Sequence, residues 1–391
     1  MTTATTTRPT LDVARSFAAE LTERAAESET LGTMPGDLVA RLRAAGLFRI
    51  LQPRALGGHE IDPAALVEMV EELARADGSA GWTVAIGAGG PAFTAWLEPD
   101  VAVDLFGADA DFTAATVFAP TGRLVPGEPG DFTLSGRWPF ASGCRHAEWL
   151  ITGAFVFDGD APRMLPGQGP DWRLAFVPRA AGEIVDNWEV LGLRATGSND
   201  LTVQSLNVRE EHTAGAFFSP ARHDGPLWRL PFFTLAGAAL VGVPLGIGRR
   251  ALDEITALAP TKVRAGSFSS TADDQHTQVE VALAEARLRG ARAFVLDALG
   301  AIWDTACAGD VPTLEQRATF QLAAQEAMHA AVGAVDVAFA TAGSTSVRSG
   351  HPIERCFRDV HTAAQHAYFG TAALQRFAKT RFAIDQPTFM M

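Results

Sequence analysis

Cysteine is scarce in this sequence and occurs in no metal-binding pattern. The 391 residues include three cysteines, Cys144, Cys307 and Cys356, which are widely separated along the chain. A disulfide framework needs several paired cysteines, and a structural zinc site needs Cys or His residues at short spacing. Neither pattern is present. The sequence therefore predicts a protein with no metal site and no disulfide framework, in a reducing compartment.

Lysine is almost absent, and basic charge is in the minority. The chain has only two lysines, and its 32 Lys and Arg residues are outnumbered by 45 Asp and Glu, which gives a formal net charge of −13. Binding to nucleic acid without sequence preference requires clustered Lys and Arg. An anionic membrane surface attracts the same residues. The charge therefore predicts no nucleic-acid partner and no membrane partner.

The sequence also lacks a long uninterrupted apolar run. The N-terminus, MTTATTTRPT, has no apolar segment of the kind found in signal peptides. The most apolar stretch, residues 232–247, contains several Gly and a Pro and is shorter than the roughly 20 residues that span a bilayer. We therefore expect a cytoplasmic protein.

No phosphate-binding glycine motif is present, and helical and strand patterns are segregated along the chain. Neither a GxGxxG after a strand nor a P-loop occurs, which argues against a Rossmann-type nicotinamide site. Residues 1–111 have the apolar spacing of amphipathic helices, with a break at Asp77-Gly78, and this spacing returns in residues 225–391. Residues 112–224 consist of short β-branched and aromatic runs. The sequence predicts an α+β fold, mostly α, with helical, β and helical-bundle domains in that order.

Three segments carry a family resemblance, two in the predicted β domain and one in the helical bundle. They are LSGRWPFASGCRHAEWLI at residues 134–151, WEVLGLRATGSNDLTVQSLNV at residues 188–208, and PIERCFRDVHTAAQHAYFGTAALQR at residues 352–376. With these segments the chain resembles the acyl-CoA dehydrogenase superfamily over nearly its whole length. The resemblance implies that family's fold, with an N-terminal helical domain, a central β-barrel or sandwich and a C-terminal four-helix bundle.

One position departs from the dehydrogenases of this superfamily. They place a Glu after a Tyr, in a Tyr-Glu-Gly-Thr loop, where the Glu abstracts the α-proton of the substrate. Here the loop reads Tyr368-Phe369-Gly370-Thr371. Since a phenyl ring has no lone pair, Phe369 cannot act as a general base. The sequence therefore does not predict the family's dehydrogenase chemistry at this position.

Two histidines lie just upstream, His361 and His366, and in this the chain looks like the flavin-dependent monooxygenases of the same fold (group D, two-component hydroxylases). These enzymes receive reduced flavin, FADH2 or FMNH2, from a separate reductase. The resemblance implies that O2 and reduced flavin form a C4a-(hydro)peroxyflavin, which hydroxylates or N- or S-oxidises an organic substrate. It also implies that Ser142 supports this species from the flavin N5. A polycyclic compound or secondary metabolite is the expected substrate.

Histidine suits such a site because its ordinary pKa of about 6.5 lets it exchange protons near neutrality. We take His366 as the first candidate for the residue beside the flavin and His361 as the second. If this segment is helical, their five-residue spacing places them ~140° apart around the axis, so only one can face the flavin.

The resemblance further implies cofactor and substrate residues, some with an equally good structural interpretation. Trp138 could fill the core, and Arg358 could form an ion pair within the bundle. A glycine-rich stretch, residues 86–90, replaces a His-containing segment of the phenol hydroxylases and suggests room for a bulkier substrate. The predicted flavin-binding residues are Trp138, Phe140, Ala141, Ser142, Thr196, Gly197, Ser198, Arg358 and, on a loop that crosses a subunit interface, Arg264 and Phe268. The predicted substrate-side residues are Ser79, Trp82, Tyr368 and Phe369.

Two other functions are compatible with the same residues. One is an acyl-CoA dehydrogenase or oxidase whose catalytic base has moved to another helix. The other is a flavin-free, non-catalytic paralogue that acts as a binding or scaffold subunit. The resemblance also implies a homotetramer, a dimer of dimers assembled through the C-terminal bundle.

Overall fold

The N-terminal part of the chain folds into five helices. The computed structural model of the protein describes residues 11–107, 111–215, 217–388 and 390–391, so the polar residues 1–10 lie outside it. Asp77 separates the third and fourth helices, because its side chain accepts a hydrogen bond from Ala80 N at 2.8 Å and so caps the fourth. The helices are α1 (Leu11–Leu31), α2 (Gly36–Ala44), α3 (Pro63–Ala76), α4 (Gly78–Ala92) and α5 (Pro99–Phe106).

The central part of the chain forms a mixed β-sheet. Its strands follow the order β10-β7-β3-β1-β2-β9-β8, with β4 paired to β3, while β5 and β6 form a separate hairpin. Among the strands of the described residues, only β1 and β3 pair in parallel, and the other neighbours are antiparallel. The strands are β1 (Ala114–Pro126), β2 (Asp131–Trp138), β3 (Trp149–Asp158), β4 (Ala161–Pro162), β5 (Met164–Leu165), β6 (Gly169–Pro170), β7 (Trp172–Pro178), β8 (Glu183–Val185), β9 (Asp200–Arg209) and β10 (Thr213–Ala214).

This sheet is the central β domain that the resemblance implies. Within the described ranges, the edge strands β10 and β8 do not pair with each other, so the sheet stays open. The register shifts between Val117 and Gly122 on β1, and between Leu134 and Gly136 on β2, interrupt the ladders and bend the strands. The predicted domain bounds at residues 111 and 224 stay predictions.

The C-terminal part is a helical bundle around α9, which contacts α7, α8, α10 and α11. The apolar run Phe232–Leu258, which covers α6 and α7, is long enough to cross a membrane, but 89% of its most apolar window is buried inside the fold. It therefore has the burial of a core helix. The six helices are α6 (Phe232–Leu240), α7 (Gly242–Leu258), α8 (Gln275–Cys307), α9 (Leu314–Ala342), α10 (Pro352–Ala363) and α11 (Ala372–Arg381).

Candidate active site

Three buried hydroxyl groups form a hydrogen-bonded row between the segment after β2 and the loop before β9. Ser142 Oγ lies 2.7 Å from Ser198 Oγ, which lies 2.6 Å from Thr196 Oγ1. At one end, Thr196 Oγ1 is 2.9 Å from the carbonyl oxygen of Leu193. At the other, Trp82 Nε1 on α4 is 3.0 Å from Ser142 Oγ. We call Ser142, Ser198 and Thr196 the hydroxyl row.

Only one set of proton positions satisfies all four contacts of the hydroxyl row. The Leu193 carbonyl can only accept a hydrogen bond, and the Trp82 indole N–H can only donate one. Thr196 therefore donates to Leu193, Ser198 donates to Thr196, and Ser142 donates to Ser198. Ser142 Oγ accepts from Trp82 and keeps one further lone pair. Toward any ligand, Ser142 thus acts as a hydrogen-bond acceptor.

The backbone joins the two segments that carry the hydroxyl row. Ala141 N donates to Asn199 O at 3.0 Å, and Gly143 N donates to Thr196 O at 2.9 Å. The N–H group of Ala141, a predicted flavin-binding residue, is thus occupied inside the protein.

His366 lies beside Trp82, with ring centroids 5.4 Å apart and the rings edge to face. Helix α10 ends at Ala363, so the helix that would separate His361 and His366 by ~140° does not extend to His366. Instead His366 begins a short 3-10 turn, Ala367–Phe369, and its Nδ1 accepts a hydrogen bond from Tyr368 N at 3.3 Å.

This cap determines the protonation of His366. Because Nδ1 accepts a backbone N–H, the proton of the neutral ring is on Nε2. The side chain is solvent-accessible, yet the surrounding protein desolvates the ring and lowers its pKa to about 4. At neutral pH His366 is therefore an uncharged donor, through Nε2–H.

His361 faces the bundle and not the hydroxyl row. Its Nε2 lies 2.9 Å from Asp336 Oδ1 on α9, and its ring centroid is 4.4 Å from that of Phe357. The structure therefore brings His366, but not His361, to the row.

Arg358 is used in ion pairs at the junction of α1 and α10. Its guanidinium lies 2.8 Å from Glu29 and 2.5 Å from Glu354, and it donates to Leu191 O at 3.1 Å. The structure thus has the ion pair that the sequence left open as the alternative to flavin binding.

Asp359 holds the loop that carries the hydroxyl row. Its Oδ1 accepts the Leu193 N–H at 2.6 Å, and Leu193 has a left-handed backbone with φ of 53°. The loop approaches so closely that a Cβ added at Gly192 would lie 2.1 Å from Arg358 O. Burial, together with the Asp77 carboxylate, raises the pKa of Asp359 to about 7.

Trp138 lies in the core of the sheet, so its predicted contact with flavin is wrong. Its side chain is 0% exposed, and its Nε1 donates to Gly153 O at 2.7 Å. The ring fills the space that Gly122 and Gly136 leave. Phe140, two residues later, is 67% exposed and has a φ of 63°, so it remains available to a ligand.

The predicted substrate-side residues differ in what their side chains contact. Trp82 contacts the hydroxyl row, whereas Ser79 is buried in the first turn of α4. Phe369 is buried, and Tyr368, the only tyrosine of the chain, points its hydroxyl at α6. A Cβ added at Gly237 would lie 1.8 Å from the Tyr368 oxygen, so a glycine is needed there.

The glycines of residues 86–90 leave less room than expected. A Cβ at Gly87 would lie 2.5 Å from the Phe48 ring, and one at Gly90 would lie 2.6 Å from Thr116 Oγ1. Only at Gly89 would an added Cβ meet open space. Two of these glycines thus serve close packing.

Arg264 and Phe268 lie away from the hydroxyl row in this single chain. Both are on the exposed loop between α7 and α8, where Arg264, Ser267 and Ser270 border a surface groove of about 600 Å³. Phe268 is fully exposed. Their expected role depends on a second subunit and stays a prediction.

A further hydroxyl near the row was not anticipated from the sequence. Thr83 Oγ1 is buried and has no hydrogen-bond partner among the described residues. The Cβ position of Gly143 is 3.8 Å from the Thr83 methyl group. An unsatisfied buried hydroxyl beside the row suits a ligand with polar ring edges, such as flavin. No sequence pattern indicates the contacts of Thr83, Leu193 or Asp359, because their partners come from distant segments.

Comparison with known proteins agrees with this geometry. The family profile of the acyl-CoA dehydrogenase N-terminal domain matches residues 6–96, and that of the C-terminal domain matches residues 238–371. The chain is 33% identical to the indole-3-acetate monooxygenase of Pseudomonas putida over 90% of this chain and 87% of that protein. It is 29% identical to the flavin-dependent monooxygenase oxygenase subunit HsaA of Rhodococcus jostii, over 89% and 91% of the two chains.

Solved structures show the same similarity. The crystal structure of the 3-HSA hydroxylase from Rhodococcus sp. RHA1 superposes with a TM-score of 0.88 at 26% identity, covering 97% of this chain and 98% of that one. The similarity therefore extends over the N-terminal helices, the sheet and the bundle, and it confirms the predicted fold and activity. The chain belongs to the acyl-CoA dehydrogenase family, in its branch of flavin-dependent monooxygenases.

Proposed function

We propose that this monooxygenase is the oxygenase component of a two-component system, which takes reduced flavin from a separate reductase. The hydroxyl row beside a neutral His366 carries this proposal, together with Phe369 at the dehydrogenase base position. Reduced flavin bound there supplies two electrons to O2, so that one oxygen atom enters the substrate and the other leaves as water. Relatives named as oxygenase subunits support the separate reductase.

The side chains of the site have distinct roles in this proposal. Ser142 would accept a hydrogen bond from N5 of the reduced flavin, and Thr196 and Ser198 fix the direction of its hydroxyl proton. His366 donates a hydrogen bond from Nε2 to the reacting oxygen. Trp82, on α4, orients Ser142 through its indole N–H and packs its ring against that of His366. Phe140, Thr83 and the backbone of Gly197 line the flavin side.

We propose a bicyclic aromatic substrate. Two indole-3-acetate monooxygenases, at 33% and 30% identity over 90% and 93% of this chain, support this class. Aromatic and apolar walls suit such a ring, and the open space at Gly89 adds room beside α4. Both FADH2 and FMNH2 are candidates for the cofactor, since solved structures of this fold contain FADH2 and FMN.

Assembly and location complete the proposal. We propose a cytoplasmic homotetramer in which the exposed Phe268 and Arg264 of one subunit meet a neighbour. Light scattering coupled to gel filtration tests it. A monomer at micromolar concentration would contradict the proposed assembly.

The decisive experiment supplies reduced flavin without a reductase. FMN and FAD are reduced anaerobically, mixed with the protein and indole-3-acetate, and then exposed to O2, and the oxygenated product and hydrogen peroxide are quantified. We expect oxygenated product with one of the two flavins. Peroxide alone with a range of indoles would contradict the substrate class. Reduction of bound flavin by an acyl-CoA would instead indicate a dehydrogenase, and failure to bind any flavin would indicate a non-catalytic paralogue.

A further inference from the structure

A large concavity lies away from the hydroxyl row, at the N-terminal end of α6. It has a volume of about 950 Å³, at the upper end of the range for small-molecule pockets. Its walls are the loop of residues 217–230, the start of α6, Arg317 on α9 and the tail residues 385–388. We call it the tail groove.

Hydrogen bonds to α11 and α9 hold the tail residues that form one wall of this groove. Gln386 Nε2 donates to Arg376 O at 3.0 Å, and Gln321 Nε2 donates to Met390 O at 2.7 Å. The last residue, Met391, is fully buried. These contacts hold the tail in place as a wall of the groove.

The opposite wall of the tail groove is aromatic. Phe217 and Phe232 have ring centroids 4.5 Å apart, and Trp172 stacks behind Phe217 at 3.9 Å. Trp96 and Trp228 complete this wall. Such a surface favours a planar aromatic ligand, because aromatic rings prefer offset or edge contacts at these distances.

Two buried ring nitrogens in the groove lining lack partners. Trp228 is 4% exposed, and its Nε1 has no hydrogen-bond partner among the residues that the structure describes. The same holds for Nε2 of His223, whose ring centroid is 5.9 Å from that of Trp228. A buried N–H without an acceptor is costly, so these groups indicate a ligand with polar atoms.

Arg317 provides an unpaired positive charge in the same groove. It is half-buried, its Nε makes only a long contact of 3.4 Å to Thr313 O, and within the described ranges no carboxylate lies within 4 Å of it. The acids of the groove, Asp224 and Asp385, are exposed to solvent and form no ion pair with it. A half-buried guanidinium without a carboxylate is suited to bind an anionic ligand.

The groove adjoins the candidate active site through α6 and α4. Phe232 begins α6 in the groove, and Gly237, which contacts Tyr368, follows five residues later, about 7.5 Å along the helix. Phe232 also stacks at 4.4 Å on Phe93, which directly follows α4. Trp82 on this same helix contacts the hydroxyl row. Stacked aromatic rings thus connect the groove with the helix that carries Trp82.

We propose that the tail groove is a recognition site for an aryl carboxylate, in which Arg317 binds the carboxylate and the Phe217–Phe232 wall holds the ring. This inference rests on the proposed function, because it takes the ligand to be the substrate before it reaches the candidate active site. The groove then selects acidic aromatic compounds over their neutral analogues.

The first test is calorimetric binding to the flavin-free protein, with indole-3-acetate and its uncharged analogue indole-3-acetamide. Loss of one charged hydrogen-bond partner costs about 1.5–3 kcal/mol, so we expect R317Q to weaken indole-3-acetate binding about 10- to 150-fold. Binding of the amide should change less than threefold. The matched control is R381Q, which removes an exposed arginine paired with Glu315 and should leave both ligands unaffected.

The second test locates the ligand. Crystals soaked with a bromoindole-3-acetate should give an anomalous bromine peak in the groove, beside Phe217 and Phe232. A peak only beside His366, no peak at all, or equal binding by R317Q and the unchanged protein would each overturn the proposal. Since neither test uses flavin or O2, failure of the monooxygenase assay leaves these results independent, and the reverse also holds.

Discussion

Replacing Ser198 with alanine tests the direction of the hydroxyl row. In the folded protein Ser142 donates its proton to Ser198 at 2.7 Å, so toward a flavin it can only accept. Reduced flavin carries a hydrogen on N5 and satisfies this acceptor, whereas N5 of oxidised flavin is itself an acceptor. Two facing acceptors lose a hydrogen bond, which costs about 1–3 kcal/mol when buried. The protein should therefore prefer reduced flavin by about 5- to 150-fold from this contact.

S198A removes the acceptor of the Ser142 proton, which then becomes free to point at N5. A new hydrogen bond of about 1–1.5 kcal/mol should raise the affinity for oxidised flavin about five- to tenfold, with little change for reduced flavin. The assay is equilibrium binding of both redox forms, the reduced form under anaerobic conditions. S16A, the same substitution at an exposed site on α1, should leave the ratio of the two dissociation constants unchanged.

Two outcomes would contradict the reasoning in different ways. If S142A and S198A both leave the ratio unchanged, Ser142 does not face N5. If S142A changes the ratio and S198A does not, Ser142 faces N5 but its proton is not fixed by the row.

Three further predictions concern groups around the row. Replacing Asp359 with Leu leaves the buried Leu193 N–H without an acceptor and should lower the free energy of unfolding by about 1–3 kcal/mol in urea, while D359N keeps an acceptor and should retain most of it. Because the pKa of Asp359 is raised from 3.8 to about 7, its contribution to the free energy of unfolding is fully present below about pH 4 and is lost as pH rises through 7. In this window the unchanged protein should lose stability relative to D359N by up to about 1.4 kcal/mol per pH unit. Parallel plots of unfolding free energy against pH for the two proteins would refute the assignment. Since the pKa of His366 is lowered to about 4, the ratio of oxygenated product to hydrogen peroxide should be constant from pH 8 to about 5 and should fall as the ring is protonated near pH 4. A midpoint of this fall near pH 6.5 would show that the ring is not desolvated. G237A should destabilise the fold by about 1–3 kcal/mol in thermal or urea unfolding, because the new methyl group overlaps the Tyr368 hydroxyl. Adding Y368A to the G237A protein should recover part of this loss. A G237A protein with unchanged stability would contradict the close approach of Tyr368 to Gly237.

The sequence by itself determined the order of helices and strands, the departure at Phe369 and the family. Apolar spacing of three and four in residues 11–107, and short β-branched runs from β1 to β10, are local properties that survive without tertiary contacts. The three motifs each lie within about 25 consecutive residues, so they can be recognised without a structure. Ser142 and His366 could be selected for the same reason.

The tertiary structure decided which of the selected residues meet. Thr196, Ser198 and Ser142 form a row only because two segments about 55 residues apart join through backbone hydrogen bonds. Trp138 has a motif position typical of a flavin contact, yet packing against glycines of neighbouring strands places it in the core.

The end of α10 and the tail groove were equally beyond sequence analysis. The residues that follow α10 are good helix formers apart from His366, so composition favoured a longer helix, and only the capping contact of His366 with Tyr368 N shows where its ring lies. Arg317 meets Phe217 and residues 385–388 because the loop, α9 and the tail converge on one end of α6. Such encounters depend on how helices pack and where loops close, and these are set by long-range burial, which local spacing in the chain does not encode.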